Sequence, residues 1–116
     1  MMKTKDKLVG RYDEASPVPA VAGIISRTLL TGSSMMVCEF RLDAGAKIPE
    51  HSHPQEQIGY VVSGRLRVTV DQDVAELGPG DTYWAPANVP HGAQILEAAV
   101  VVDTFSPPRD DYRERG

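Results

Sequence analysis

The chain has 116 residues, enough for one domain that buries roughly two thirds of its unfolded surface. A formal net charge of −4 and the lack of long basic runs argue against nucleic acid or an anionic membrane as a partner and favour small molecules. A single cysteine, Cys38, excludes an internal disulfide, and no segment resembles a membrane span or signal peptide, so we expect a cytoplasmic protein.

Residues 1–20 are polar and end in Ser16-Pro17-Val18-Pro19, which predicts an N-terminal tail or an edge strand. From residue 21 to 106, short alternating segments separated by turn-forming residues predict one all-β domain. The charged, proline-interrupted segment 107–116 is expected to be a C-terminal tail with a mobile end. The predicted strands are Ala22–Leu30, Met35–Asp43, Lys47–His51, Glu56–Ser63, Arg65–Asp71, Val74–Leu77, Thr82–Ala85, Gly92–Ile95 and Ala98–Phe105.

Glycine positions mark the expected chain reversals. Gly64 predicts a tight hairpin between two strands, and Gly78-Pro79-Gly80-Asp81 predicts a corner. Among the side chains between these turns, we expect Cys38 to be a buried, inert thiol and Trp84 to lie in the core. Tyr60 should face away from the interior.

All three histidines of the chain lie beside turn-forming residues or beside each other. In an extended chain, residues two or four apart share a face, so His51, His53 and Gln57 should point into one cavity. His91 follows the turn sequence Asn88-Val89-Pro90 and could begin a returning strand. Together these four side chains predict one divalent metal site, although a lone histidine pair is more often an ordinary polar feature.

The spacing around these residues resembles the two sequence motifs of the cupin superfamily. In the first motif, Gly45 precedes His51, His53, Gln57 and Gly64; in the second, Gly80 precedes Pro86, Asn88 and His91. The resemblance covers about residues 40–95 and implies a single-domain double-stranded β-helix, a jelly roll, with its ligand site in the mouth of the barrel. Small cupins are commonly homodimers, so the resemblance also implies a dimer.

Both motifs depart from the usual cupin pattern. Gln57 stands where most cupins carry glutamate, and Asn88 and Ile95 stand where the second motif usually has glycine before its histidine and asparagine after it. Glu56 is an alternative ligand, but its odd offset from His53 points it to the other face of a regular strand, so Gln57 is preferred. A neutral amide leaves more of the ion's charge available for Lewis-acid chemistry than a carboxylate does.

A second group of candidate site residues follows the last apolar run of the chain. Asp103 and Phe105 share a strand face, and Arg109 comes four residues later. If that face lines the cavity, Asp103 could act as a general acid or base, Phe105 could form a pocket wall and Arg109 could bind an anion. A solvated strand end with a core phenylalanine and a surface arginine is an equally good explanation.

The Gln57-bearing first motif and the Asp-x-Phe-Ser-Pro-Pro-Arg sequence ending at Arg109 are similar to the KdgF-type pectin-degradation cupins, over about residues 20–112. That resemblance implies ring opening of 4,5-unsaturated monouronates to linear 4-deoxy-5-keto uronates, with one divalent transition metal (Ni, Zn, Fe, Mn or Cu) and an anionic uronate substrate. The metal ligands of the KdgF type fall on His51, His53, Gln57 and His91, and its pocket residues on Asp103, Phe105 and Arg109.

Two other function classes remain open. A metal-dependent dioxygenase or lyase acting on another small oxygenated acid would use the same three histidines. A non-catalytic cupin would bind a small molecule through the metal and leave it unchanged.

Overall fold

A computed structural model describes residues 8–113 of the chain. It contains eight strands and two short helices. No helix in this part is long and apolar enough to cross a membrane. The strands are β1 (Val18–Pro19), β2 (Ile24–Thr31), β3 (Met36–Leu42), β4 (Lys47–His51), β5 (Glu56–Val70), β6 (Asp73–Leu77), β7 (Thr82–Ala85) and β8 (His91–Ser106); a 3-10 helix spans Tyr12–Glu14, and α1 spans Asp110–Arg113.

The strands form one antiparallel sheet that folds into the expected jelly roll. Its order is β1-β2-β3-β8-β5-β6, with β4 paired to β8 and β7 paired to β5. The long strands β5 and β8 pair along most of their length and carry the other strands on both edges. This pairing brings the start of β5, the start of β8 and the end of β8 to one cavity, where the candidate site lies.

Gly64 does not form the predicted hairpin. It lies inside the continuous strand β5, where the pairing with β8 shifts between Val61 and Leu66. Its φ of 85° is one that side chains disfavour, and an added Cβ would overlap the backbone around Ala99. The irregularity is a bulge, and across it the inward-facing residues change from odd positions such as Val61 to even positions such as Leu66. In the sequence, this break in alternation beside a glycine looks the same as a hairpin between two strands.

The predicted break in the last strand is also absent, because Gly92–Ile95 and Ala98–Phe105 belong to one strand, β8. Its odd-numbered inward positions remain in phase from His91 to Phe105.

Apolar side chains fill the interior on both sides of the site. The larger cluster comprises Ile24, Leu42, Val61, Leu66, Val68, Ile95, Ala99 and Val101. The smaller cluster comprises Met36, Cys38 and Phe105. Full burial of a Val, Leu, Ile or Phe side chain stabilises a fold by about 1.5–3 kcal/mol. These clusters therefore stabilise the strands that carry the polar residues of the site.

Cys38 is buried, as predicted. The prediction for Trp84 is wrong. Its side chain is 57% exposed on the outer face of β7, opposite Ile58 of β5, and its indole N–H donates to Glu56 at 2.8 Å. The neighbouring Tyr83 takes the inward direction instead. Tyr60 faces outward as expected and is 49% exposed.

Both ends of the described chain pack against the sheet. β1 pairs with β2 near the start, and the Thr28 hydroxyl of β2 donates to the Tyr112 carbonyl of α1 at 2.8 Å near the end. The first seven residues of the predicted N-terminal tail, and residues 114–116 of the expected mobile end, lie outside the described residues.

Candidate metal and acid–base site

The three histidines meet at one end of the cavity. His51 ends β4 and is in register with His91, which begins β8, while His53 lies in the loop before β5. One ring nitrogen from each lies within 4.8 Å of the others. The three histidines were predicted to converge, but through an extended chain from residue 51 to 57. The chain instead bends at Pro54 and Gln55.

Backbone carbonyls hold all three imidazoles through the same ring atom. The Nδ1 atoms of His51, His53 and His91 lie 2.9, 3.0 and 2.9 Å from the carbonyl oxygens of Pro49, Gln55 and Val89. A carbonyl can only accept, so each Nδ1 carries the proton and each Nε2 presents a lone pair. Outer hydrogen bonds of this kind orient histidine ligands around metal ions.

Two features of the inner atoms favour a cation between them. The Nε2 atom of His91 is the one buried side-chain nitrogen or oxygen within residues 8–113 that has no hydrogen-bond partner. The His53 Nε2 and Gln57 Oε1 atoms face each other at 3.1 Å, although in this tautomer both are acceptors. A bound divalent ion would accept lone pairs from the Nε2 atoms of His91 and His53 and from the Gln57 Oε1 atom. The donor set therefore fits a transition metal.

Burial lowers the pKa of both His53 and His91 below the usual value near 6.5. The positive charge of Arg109 lowers the pKa of His53 further. Both imidazoles therefore favour the neutral form, which is the form that binds metal.

Gln57, not Glu56, faces the histidines. The side chain of Gln57 is buried, whereas Glu56 is exposed and accepts the Trp84 indole N–H on the outer face. The alternation along β5 separates these neighbours as expected.

Asp103 and Phe105 point inward from β8 into the same cavity. Burial raises the pKa of Asp103 from its ordinary 3.8 to about 6, although hydrogen bonds from Tyr83 and Gln57 and the charge of Arg109 oppose this shift. Phe105 packs edge-on against His53, with 5.9 Å between ring centroids. The alternative in which Asp103 is a solvated strand end does not hold, since its side chain is only 4% exposed.

Arg109 returns to the cavity from the segment after β8. Its guanidinium lies over the rings of Tyr112 and Phe105, 4.3 and 5.4 Å from their centroids, and makes a two-point contact with Asp111 at 3.2 and 2.9 Å. The side chain is only 17% exposed. These contacts fix the Arg109 guanidinium on the wall of the cavity. The cavity has a volume of about 570 Å³, part of which is open solvent.

The profile of the cupin domain family matches residues 38–105, well over half of the chain. The chain belongs to the cupin superfamily. Within it, the chain is 34% identical over 103 residues to the pectin degradation protein KdgF of Dickeya dadantii, covering 86% of this chain and 94% of the relative.

Solved cupin structures superpose closely on this one. KdgF from Halomonas sp. has a TM-score of 0.84 and 34% identity, covering 89% of this chain and 96% of that protein. An RmlC-like cupin from Shewanella frigidimarina has a TM-score of 0.87 and 29% identity, covering 92% and 96%. These likenesses extend across almost the whole chain.

Asn88 stands where the second cupin motif usually has glycine, and it adopts a backbone conformation that glycine favours. It has a φ of 65°, a left-handed conformation that asparagine tolerates better than most residues. Its backbone N–H donates to the His53 carbonyl at 2.8 Å. The second motif is thereby tied to the first, close to the histidines of both.

Sequence reasoning missed two tyrosines of this cupin's cavity. The Tyr83 hydroxyl accepts an N–H from Gln57 at 2.8 Å and donates to Asp103 at 2.6 Å. Tyr112, from the expected tail, packs edge-on against Phe105 with 5.7 Å between ring centroids. The parity of β7 could have indicated Tyr83, because only one of Tyr83 and Trp84 can face inward, but no local pattern indicates Tyr112.

Proposed function

We propose that this cupin is a metal-dependent enzyme that opens the ring of 4,5-unsaturated monouronates from pectin or alginate, giving linear 4-deoxy-5-keto uronates. The observation that carries the proposal is one cavity whose walls include His51, His91, the buried carboxyl group of Asp103 and the guanidinium of Arg109. A ring nitrogen of His53 lies within 4.8 Å of those of the other two histidines. The similarity to proteins named KdgF, one of them a pectin degradation protein, supports this substrate class.

His51, His53, His91 and the Gln57 oxygen would hold one divalent transition ion, drawn from Ni, Zn, Fe, Mn and Cu. When bound, that ion supplies Lewis-acid polarisation of substrate oxygens. The neutral ligand set, three imidazoles and an amide, leaves the charge of the ion largely uncompensated.

Asp103 is the proposed acid–base residue. In ring opening, the hemiacetal hydroxyl loses a proton as the bond from C1 to the ring oxygen breaks, and C4 gains a proton as the enol becomes a ketone. One proton leaves and one arrives, so the reaction is an isomerisation. A carboxyl group with a pKa of about 6 exchanges protons in both directions near neutral pH, which suits both steps.

Arg109 and Phe105 are proposed to position the substrate. The guanidinium can pair with the uronate carboxylate, because its stack on Phe105 and Tyr112 fixes it at the cavity wall. Phe105 offers an apolar wall beside His53.

We expect Arg109→Gln to raise KM for an unsaturated galacturonate by about 10–100-fold, with a smaller change in kcat, because a charge-assisted hydrogen bond to the substrate contributes about 1.5–3 kcal/mol. Steady-state kinetics would measure both constants. Arg113→Gln is the matched control, since Arg113 lies in α1, which begins directly after Arg109, and pairs with Asp110. An unchanged KM in Arg109→Gln would show that Arg109 does not contribute to substrate binding.

The proposed reaction is tested by mixing the purified protein with unsaturated galacturonate and following the ultraviolet absorbance of its conjugated double bond. We expect absorbance to fall with the protein, to persist after treatment with a chelator, and to fall again when a divalent ion is restored. The absence of any metal-dependent loss would contradict the proposed function.

Measurements of oxygen consumption and of binding, alongside the absorbance assay, separate the two alternative classes. Oxygen consumption with an acid substrate would indicate a dioxygenase, and binding without absorbance loss would indicate a non-catalytic cupin. The buried carboxyl group of Asp103 favours the isomerase, because simple ligand binding does not need a proton-exchanging group.

Homodimer formation and a cytoplasmic location stay predictions. The outer face of β5 and β7 exposes apolar side chains of the kind that subunit contacts cover, namely Ile58, Tyr60, Val62 and Trp84.

A further inference from the structure

The Tyr83 hydroxyl connects a proposed metal ligand to the proposed acid–base residue. Tyr83 on β7 and Asp103 on β8 are both in register with Gly59 of β5, one on each side. A Cβ atom on residue 59 would overlap the Tyr83 ring and the Asp103 carboxylate. The two side chains can therefore meet across β5 only because residue 59 is glycine.

The single hydroxyl proton of Tyr83 sets the direction of the hydrogen bonds. That proton goes to Asp103 at 2.6 Å, so the oxygen of Tyr83 can only accept from the Gln57 amide, at 2.8 Å. The amide N–H₂ is thereby turned toward Tyr83, and the amide oxygen is turned toward His53. Without this constraint, the two ends of a carboxamide are nearly equal in shape and could exchange places.

This direction also explains why an amide is suited to position 57. A glutamate there would present two acceptor oxygens, and the one facing Tyr83 would compete with Asp103 for one proton. The amide instead supplies an N–H on the tyrosine side and an oxygen on the histidine side.

We propose that Tyr83 is a positioning residue that aims the Gln57 oxygen at the three histidines, and that Gly59 provides the space this arrangement needs. The consequence for turnover rests on the proposed function, but the consequence for metal binding does not. Tyr83 acts through Gln57 and Asp103 and touches no substrate in this role.

The test measures Co²⁺ affinity by competition with a chromophoric chelator, without substrate. Tyr83→Phe keeps the ring and removes the hydroxyl. We expect its Co²⁺ affinity to fall about 10–100-fold, as is typical when a group that orients a metal ligand is lost. Gly59→Ala, which displaces the same two side chains, should weaken affinity in the same direction. The matched control is Tyr60→Phe, which removes a hydroxyl from the outer face of β5, the strand of Gly59, and should leave Co²⁺ affinity unchanged.

A double-mutant cycle distinguishes aiming from simple packing. In a Gln57→Glu background, either orientation of the carboxylate presents an oxygen to the histidines. Adding Tyr83→Phe to that background should therefore change Co²⁺ affinity by less than about threefold, so the two substitutions are coupled. An equal loss in both backgrounds, or no loss in Tyr83→Phe alone, would overturn the proposal. Wild-type protein that binds Co²⁺ but leaves uronates unchanged would refute the proposed function and leave this inference intact.

Discussion

Replacing Asp103 with asparagine should abolish uronate ring opening and make the metal-free protein more stable at neutral pH. Asparagine has nearly the same shape and can still accept the Tyr83 hydroxyl, but it cannot take up and return a proton. The carboxylate that it replaces is buried, and burial raises its pKa to about 6. Ionisation of Asp103 therefore lowers the free energy of unfolding. The proposed acid–base role explains why a carboxyl group occupies this buried position.

The pH dependence follows from the direction of that shift. The folded pKa, about 6, lies above the ordinary 3.8, so between these values the folded protein binds more protons than the unfolded chain. The free energy of unfolding must then fall as pH rises through this window. A shift of about two units corresponds to at most about 3 kcal/mol, and we expect Asp103→Asn to recover part of it above pH 6.

Urea unfolding in the presence of a chelator, at several pH values from 4 to 8, would measure this effect. His53 and His91 contribute with the opposite sign, because their lowered pKa values make stability fall as pH drops below about 6.5. Both proteins share these histidines, so the difference between wild type and Asp103→Asn isolates the carboxyl group. Asp73→Asn, at an exposed aspartate of β6, is the matched control. A variant less stable than wild type at pH 7–8 would mean that the ionised carboxylate stabilises the fold.

The alternation of side chains predicted which residues meet at the site. His51, His53 and Gln57 are separated by even steps, and they converge even though the chain bends between them. The same rule placed Asp103 with Phe105 and turned Glu56 outward. Alternation holds along the regular strands β5 and β8, where a side chain can point only inward or outward. His51, His53 and Gln57 instead meet because the chain bends at Pro54 and Gln55.

The errors arose where a local pattern has two explanations. A glycine with positive φ serves a hairpin or a bulge equally well, and only the pairing of β5 with β8 shows that Gly64 is in a bulge. The expectation that Trp84, the only tryptophan of the chain, lies in the core was wrong, because the pairing of β7 with β5 turns Trp84 outward and Tyr83 inward. Tyr112 lies after the last strand and reaches the cavity through contacts with the nearby Phe105 and with Phe40 of β3, which is distant in sequence. Such long-range contacts leave no periodic signal in one sequence.

The second large effect is expected at His91. Replacing it with alanine should remove high-affinity metal binding and, with it, ring opening. His91 supplies the buried Nε2 atom, and its ring centroid lies 4.4 Å from that of His51 and 4.8 Å from that of His53. Two imidazoles and a weakly donating neutral amide would remain, a weaker set than the three histidines, or two histidines and a carboxylate, that typically hold catalytic ions.

Thermal unfolding with and without added Zn²⁺ gives a direct measurement, because a ligand present at 100 times its Kd stabilises the folded state by about 2.7 kcal/mol. The wild-type unfolding temperature should rise with Zn²⁺, and that of His91→Ala should not. Gln94→Ala is the matched control, since Gln94 is exposed on the same strand and its side chain pairs with Arg67 outside the cavity. A zinc-dependent rise of equal size in His91→Ala would contradict a site built on three histidines, because the ion would then have to bind elsewhere. A lost rise with unchanged ring opening would instead separate catalysis from the metal and leave Asp103 and Arg109 as the reacting and binding groups.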